Sequence, residues 1–205
     1  MTIDVPKGLD VSRETFERLD IYAKLLAKWN PAINLVSKSS LPDAWSRHIV
    51  DSLQVYRIGA PGFSNWADLG SGGGFPGMVA AICAMELSEP YKITLVESDV
   101  RKATFLRTVL RETGAIATVI ADRIEGLTPL NVDVLSARAL ASLPSLLDYT
   151  ALHLSPEGFA LFSKGTSWRN ELELARRTWQ FDCEVIKSIT SPDAVILKIK
   201  GLKRA

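Results

Sequence analysis

Residues 66–77 read Trp-Ala-Asp-Leu-Gly-Ser-Gly-Gly-Gly-Phe-Pro-Gly, and no other segment constrains the fold as tightly. A short apolar run ends in Asp68-Leu69. Five glycines then fall within eight residues, and Pro76 suits the first turn of a helix. Such a loop lets the backbone take positive φ and approach a ligand with no Cβ atoms in the way. At the carboxyl end of a first strand it stands where open α/β sheets place their ligands.

The chain downstream of Trp66 fits that frame. Strands are expected near 66–69, 91–96, 116–121, 132–137 and 158–163, with helices near 77–85, 99–113, 142–153 and 167–179. The gap from Ala121 to Val132 is too short for a full helix and reads as a loop. Strand–helix alternation implies right-handed crossovers and a mostly parallel sheet covered on both faces. Two last runs, Cys183–Thr190 and Ala194–Lys200, are separated only by Ser191-Pro192-Asp193 and read as an antiparallel hairpin.

Ahead of this core, Asp10 or Ser12 can cap a helix carrying Phe16, Leu19, Tyr22, Leu26 and Trp29, stopped by Asn30-Pro31. Ser40, with Asp43 three residues on, resembles a capping box opening a second helix through Trp45, Ile49 and Leu53. Gly59-Ala60-Pro61-Gly62 then breaks the chain. The expected division is one domain over 1–205, with N-terminal helices at 1–58 and an α/β core at 64–205.

Composition narrows the function classes. With 47% hydrophobic and 23% charged residues the chain is ordinary globular material, and its 205 residues can bury a large core. No apolar run approaches the ~18 residues of a membrane span, and the first ten residues lack the apolar stretch of a secretory signal. Cys83 and Cys183 stand apart with no metal-ligand spacing, so a metal site is not expected and both thiols read as buried and reduced. A cytoplasmic setting follows. The net charge of +1 neither demands nor excludes a nucleic-acid partner.

The glycine loop parses two ways. As Asp-x-Gly-x-Gly-x-Gly it matches the first motif of methyltransferases that use S-adenosylmethionine. As Gly72-x-Gly74-x-x-Gly77 it matches the dinucleotide fingerprint, but with Pro76 inside the pattern. Asp68, the closing hairpin and the missing substrate domain favour the first over an NAD(P)-dependent oxidoreductase. Glu97, at the end of the second strand, is then placed to accept hydrogen bonds from two ribose hydroxyls. The segment 121–125 falls where such folds contact adenine, or is an ordinary polar loop.

The acceptor is approached by elimination. A pyrimidine carbon needs a cysteine nucleophile near the fourth strand, and neither cysteine is there. An exocyclic amine usually goes with an Asn/Asp-Pro-Pro-aromatic turn, where this chain has Ser136-Ala137-Arg138-Ala139. Ribose 2′-O transfer commonly uses an Asp at that strand end with a Lys on the next; Lys164 is present, the Asp is not. A ring nitrogen with its own lone pair, such as guanine N7, needs neither base nor nucleophile. Arg138 and Lys164, at the ends of adjacent strands, are the candidate catalytic residues, placed to bind phosphate or guanine O6. Arg101, Lys102, Arg107 and Arg111, with Lys198, Lys200, Lys203 and Arg204, form either RNA contacts or solvated faces.

These residues resemble the GidB/RsmG family of bacterial 16S rRNA guanine-N7 methyltransferases over nearly the whole chain. The markers are Trp-Asn-Pro-Ala-Ile-Asn-Leu-Val at 29–36, Arg-His-Ile-Val-Asp-Ser at 47–52 and the glycine loop through Gly77. Ser-Ala-Arg-Ala-Leu-Ala-Ser-Leu at 136–143 and Phe-Ser-Lys-Gly at 162–165 complete them. Gly73 departs from the family, which often has proline there. The resemblance implies a class I S-adenosylmethionine-dependent methyltransferase fold, Rossmann-like, with a seven-stranded sheet. It also implies a cofactor site touching Gly70, Phe75, Ile124, Glu125 and Arg138, beside the Gly72 and Glu97 already read from the loop and second strand, and a guanine of the small ribosomal subunit as target. The enzyme is expected to act as a monomer without metal or membrane. His48 and Asp51, at i and i+3, are read as scaffolding that packs the N-terminal helices over the cleft.

Overall fold

The computed structural model describes residues 9–61, 63–88 and 91–205. The first eight residues and Gly62, which entered the expectations on a leader and on the break before the core, lie outside the described residues. Seven strands form one sheet: β1 Asn65–Leu69, β2 Lys92–Val96, β3 Thr118–Ile120, β4 Val132–Arg138, β5 Leu154–Lys164, β6 Trp179–Lys187 and β7 Val195–Arg204. Their order is β3-β2-β1-β4-β5-β7-β6. Pairings among β1 to β5 are parallel, whereas β7 runs antiparallel between β5 and β6. The order in which strands are laid down reverses at β1, between β2 and β4, and the carboxyl ends of those parallel strands open a crevice.

Alternation along the strands splits the core into two faces. Trp66, Ile93, Val134, Leu161 and Ile196 pack on one side with α1 (Arg13–Ile33), α2 (Asp51–Gly59), α3 (Gly77–Ala84) and α4 (Val100–Thr113). Their neighbours Ala67, Val96, Leu135, Phe162 and Leu197 pack on the other, against α5 (Leu143–His153) and α6 (Trp168–Ala175). Gly158 lies on β5 where a Cβ would stand 2.9 Å from the carbonyl oxygens of Val132 and Asp133. Only glycine lets β5 approach β4 that closely.

Four local expectations differ from the fold. Helix α1 is capped by Ser12, whose Oγ accepts from the Thr15 amide at 3.1 Å, but it runs through Pro31 to Ile33. Proline in the last turn forfeits a single backbone bond, and Asn34 closes the helix in the left-handed conformation. Ser40 does not cap the second helix: its hydroxyl donates to the Ser37 carbonyl, and the helix starts five residues later as a π-helical turn, Trp45–Val50. The last helix ends at Ala175 and the hairpin begins at Trp179, because that ring is buried against the α5–α6 face. Cys83 is buried, but Cys183 on β6 is only partly so.

Among the described residues, no helix is long and apolar enough to cross a membrane.

Candidate active site

The loop after β1 is tied at both ends. The Ser71 amide donates to the Val96 carbonyl at 3.0 Å, and the Gly74 amide to that of Ser71 at 2.7 Å. The Gly72 amide donates to Glu97 Oε2 at 2.8 Å, while Glu97 Oε1 accepts from the Asp99 amide at 2.8 Å. The buried Glu97 carboxylate therefore holds the loop and keeps one lone pair on each oxygen for a ligand. Gly70 and Gly72 have φ of 62° and 55°. A Cβ on Gly72 would meet nothing nearer than the Gly70 oxygen at 3.7 Å, so that face of the loop is open.

It opens onto a cavity of about 420 Å³ lined by Gly70, Gly72, Phe75, Glu97, Ile124, Glu125 and Arg138, with Lys102 and Arg123 at the rim. All seven residues expected around the cofactor line this one cavity. Ile124 belongs to a 3-10 turn, Ile124–Gly126, in an otherwise irregular connection. Tyr149 donates to Glu125 at 2.6 Å, and this bond holds the Glu125 carboxyl below its ordinary pKa.

Asp68, the acid of the motif, does not line the cavity. It lies under the loop, fully buried, and accepts from Ser136 Oγ at 2.7 Å; Ser136 in turn accepts from Trp66 Nε1 at 2.8 Å. Burial raises its pKa to about 6.

The N-terminal segment supplies part of the site. The Tyr22 hydroxyl donates to the Gly73 carbonyl, the Tyr22 ring stands 5.2 Å from that of Phe75, and Leu35 lines the cavity. Tyr22 was expected only as a core position of α1.

A second cavity, about 380 Å³, adjoins the first and shares Arg138 and Ala139 with it. Its walls include Arg47, His48, Asp51, Lys164, Glu171 and Thr190. The Arg138 guanidinium lies 4.7 Å from the centre of the Phe75 ring, 3.0 Å from His48 Nδ1 and 3.7 Å from Asp51 Oδ2. Asp51 Oδ1 accepts from Ser188 at 3.2 Å and Thr190 at 3.1 Å. His48 and Asp51, one turn apart, both converge on Arg138. No local pattern could reveal this, since Arg138 is ninety residues away in the chain.

Lys164 reaches the same cavity but is engaged. Its ammonium donates to the Ala141 carbonyl and to Glu171 Oε2, each at 2.8 Å, and Glu171 Oε2 also accepts from the Leu143 amide at 2.8 Å. The connection from β4 to α5 is thereby held against α6, with Ala139 at a φ of 52°. Among the surface cations, Arg101, Arg111 and Arg204 pair with Asp99, Glu112 and Asp148, and Lys198 and Lys200 lie over Phe159. Lys102 lines the first cavity, whereas Lys198 and Lys200 line a separate one on β6 and β7 beside Asp182 and Glu184.

Similar solved structures share this architecture at low identity. A ribosomal protein L11 methylase from Lactobacillus delbrueckii subsp. bulgaricus superposes with a TM-score of 0.61 at 16% identity, covering 75% of this chain and 78% of its own. An O-methyltransferase from Bacillus cereus, solved in complex with SAH, gives 0.59 at 15%, covering 95% and 94%. Relatives in sequence are far nearer. Two proteins named ribosomal RNA small subunit methyltransferase G are each 54% identical: one from Ruegeria pomeroyi over 100% of both chains, one from Ruegeria sp. strain TM1040 over 96% of this chain and 95% of its own. The model of the GidB family, rRNA small subunit methyltransferase G, matches residues 15–198, and the chain belongs to that family.

Proposed function

We propose that this protein transfers a methyl group from S-adenosylmethionine to N7 of a guanine in 16S rRNA of the small ribosomal subunit. The observation that carries the reading, beside family membership, is the meeting of two cavities at Arg138 and Ala139. The first suits the adenosyl cofactor: Gly72 leaves an open cradle, Glu97 offers ribose acceptors, and Ile124 with the 123–125 backbone can frame a base. When bound, S-adenosylmethionine supplies an electrophilic methyl group on its sulfonium. The second cavity then receives the guanine, presented edge-on to the shared wall.

In-line transfer to a ring nitrogen asks the protein to position, dehydrate and hold. The residues present match that demand. Neither cysteine lines either cavity, and the Asp51 carboxylate is occupied by Arg138, Ser188 and Thr190. Arg138 can donate to guanine O6 without capping N7. Lys164 holds the wall in place and keeps one N–H for a phosphate or base. Displacement from a sulfonium calls for no metal, and the reading places the enzyme in the cytoplasm as a monomer.

Methyl-labelled S-adenosylmethionine, the protein and small subunits from cells lacking its gene provide the test, with nucleoside analysis of the product. Label recovered as 7-methylguanosine at one site is expected. Label in another nucleoside, or none, would overturn the acceptor assignment.

A further inference from the structure

The hydrogen bonds around His48 admit one protonation state. Nδ1 lies 3.0 Å from Arg138 Nη1, and a guanidinium has only donors, so Nδ1 must present its lone pair. Nε2 lies 2.9 Å from Ser40 Oγ. That hydroxyl already donates to the Ser37 carbonyl at 3.0 Å and accepts from Ser37 Oγ at 2.9 Å, so it can only accept from the imidazole. The ring is therefore neutral with its proton on Nε2. Serine 40, displaced from the capping role its sequence suggested, sets the tautomer instead.

We propose that His48 is a positioning residue for the transfer, fixing Arg138 at the wall between the two cavities through its Nδ1 lone pair. This rests on the function proposed above. The guanidinium is held by four groups: Nδ1, Asp51 Oδ2, the Arg47 carbonyl at 3.5 Å and the face of Phe75, whose ring centre is itself 5.1 Å from that of His48. The wide π-helical turn that carries Arg47 and His48 leads directly into Asp51, so one short segment provides three of the four. Methylation at N7 leaves a positive charge on the purine. A protonated His48, beside Arg138 and Arg47, would oppose that charge and forfeit the acceptor. Burial and the Arg138 charge, holding its pKa down to about 4, keep the ring neutral.

Three variants and one spectrum test this. His48→Phe keeps an aromatic ring against Phe75 but has no acceptor, and should lower kcat about 10- to 100-fold on small subunits. Its affinity for S-adenosylmethionine, measured by calorimetry, should change less than about two-fold. His48→Asn places an amide oxygen near the Nδ1 position and should recover most of that loss, whereas His48→Leu should not. In 15N spectra of histidine-labelled full-length protein, only His48 and His153 contribute, and the set lost in His48→Phe should show the proton on Nε2. An Nδ1-protonated or charged ring at neutral pH would overturn the proposal. So would unchanged kcat in His48→Phe, equal losses in kcat and cofactor affinity, or no recovery in His48→Asn. The spectrum stands whatever nucleoside is methylated, so failure of the functional reading and failure of the His48 assignment are separable.

Discussion

The two cavities differ in what builds them. The first cavity is lined by the glycine loop, the 123–125 connection and Glu97, whose carboxylate ties the Gly72 amide to that of Asp99. The second cavity is lined by charged side chains from the 45–51 segment, β4, β5 and α6, with Thr190 and Ser191 from the turn between β6 and β7. Main-chain sites are specified by short motifs, since the loop's own glycines create the opening. A side-chain site of this kind exists only after distant segments have packed, as Arg138 with Asp51 and Lys164 with Glu171 show.

The comparison breaks most sharply at Glu97. Glu97→Ala removes two charge-assisted loop bonds and the ribose acceptors, and should weaken S-adenosylmethionine binding at least about 100-fold. Binding of small subunits should stay nearly unchanged. Calorimetry for the cofactor and filter binding for the subunit separate the two, and parallel losses would mean that the cavities form one cooperative unit.

Lys164 probes the other side. Lys164→Met strands the Glu171 carboxylate and the Ala141 carbonyl, and should cost about 2–4 kcal/mol of stability by denaturant titration. Lys164→Met with Glu171→Leu should return much of this, because neither charge is then left unpaired. A Lys164→Met protein as stable as the parent, yet with slow turnover, would make Lys164 a catalytic residue and not a buttress.

The smallest effect is a tilt of stability with pH. The folded His48 pKa of about 4 lies below its ordinary 6.5, so the unfolded chain binds more protons there and stability is lost as pH falls from 6.5 to 4. Discounted for its partly solvated edge, this amounts to about 1–2 kcal/mol. Asp68 acts oppositely: its pKa, raised from 3.8 to about 6, means stability is lost as pH rises through that window, by about 2–3 kcal/mol. The two nearly offset in the parent protein. His48→Phe should therefore tilt the profile toward greater stability at low pH, and Asp68→Asn toward greater stability at high pH. Identical slopes in thermal melts of both variants would contradict both assignments.

The sequence by itself determined the parallel sheet, the glycine loop, the carboxylate on β2 and the closing hairpin. Each is written in neighbouring residues through periodicity, positive-φ demands or turn chemistry. Gly72 and Glu97, read from such local pattern, line the first cavity, as do Gly70, Phe75, Ile124, Glu125 and Arg138, which the family resemblance implied. Tertiary structure alone decided the rest. Ser40 abandons a helix cap for His48, Asp68 turns under the loop to Ser136, and Trp179 ends a helix early because its ring is buried. Arg138 finds His48 and Asp51 across ninety residues. In each case a buried polar atom or ring must find a partner in a low-dielectric interior, and which partner arrives depends on how the elements pack.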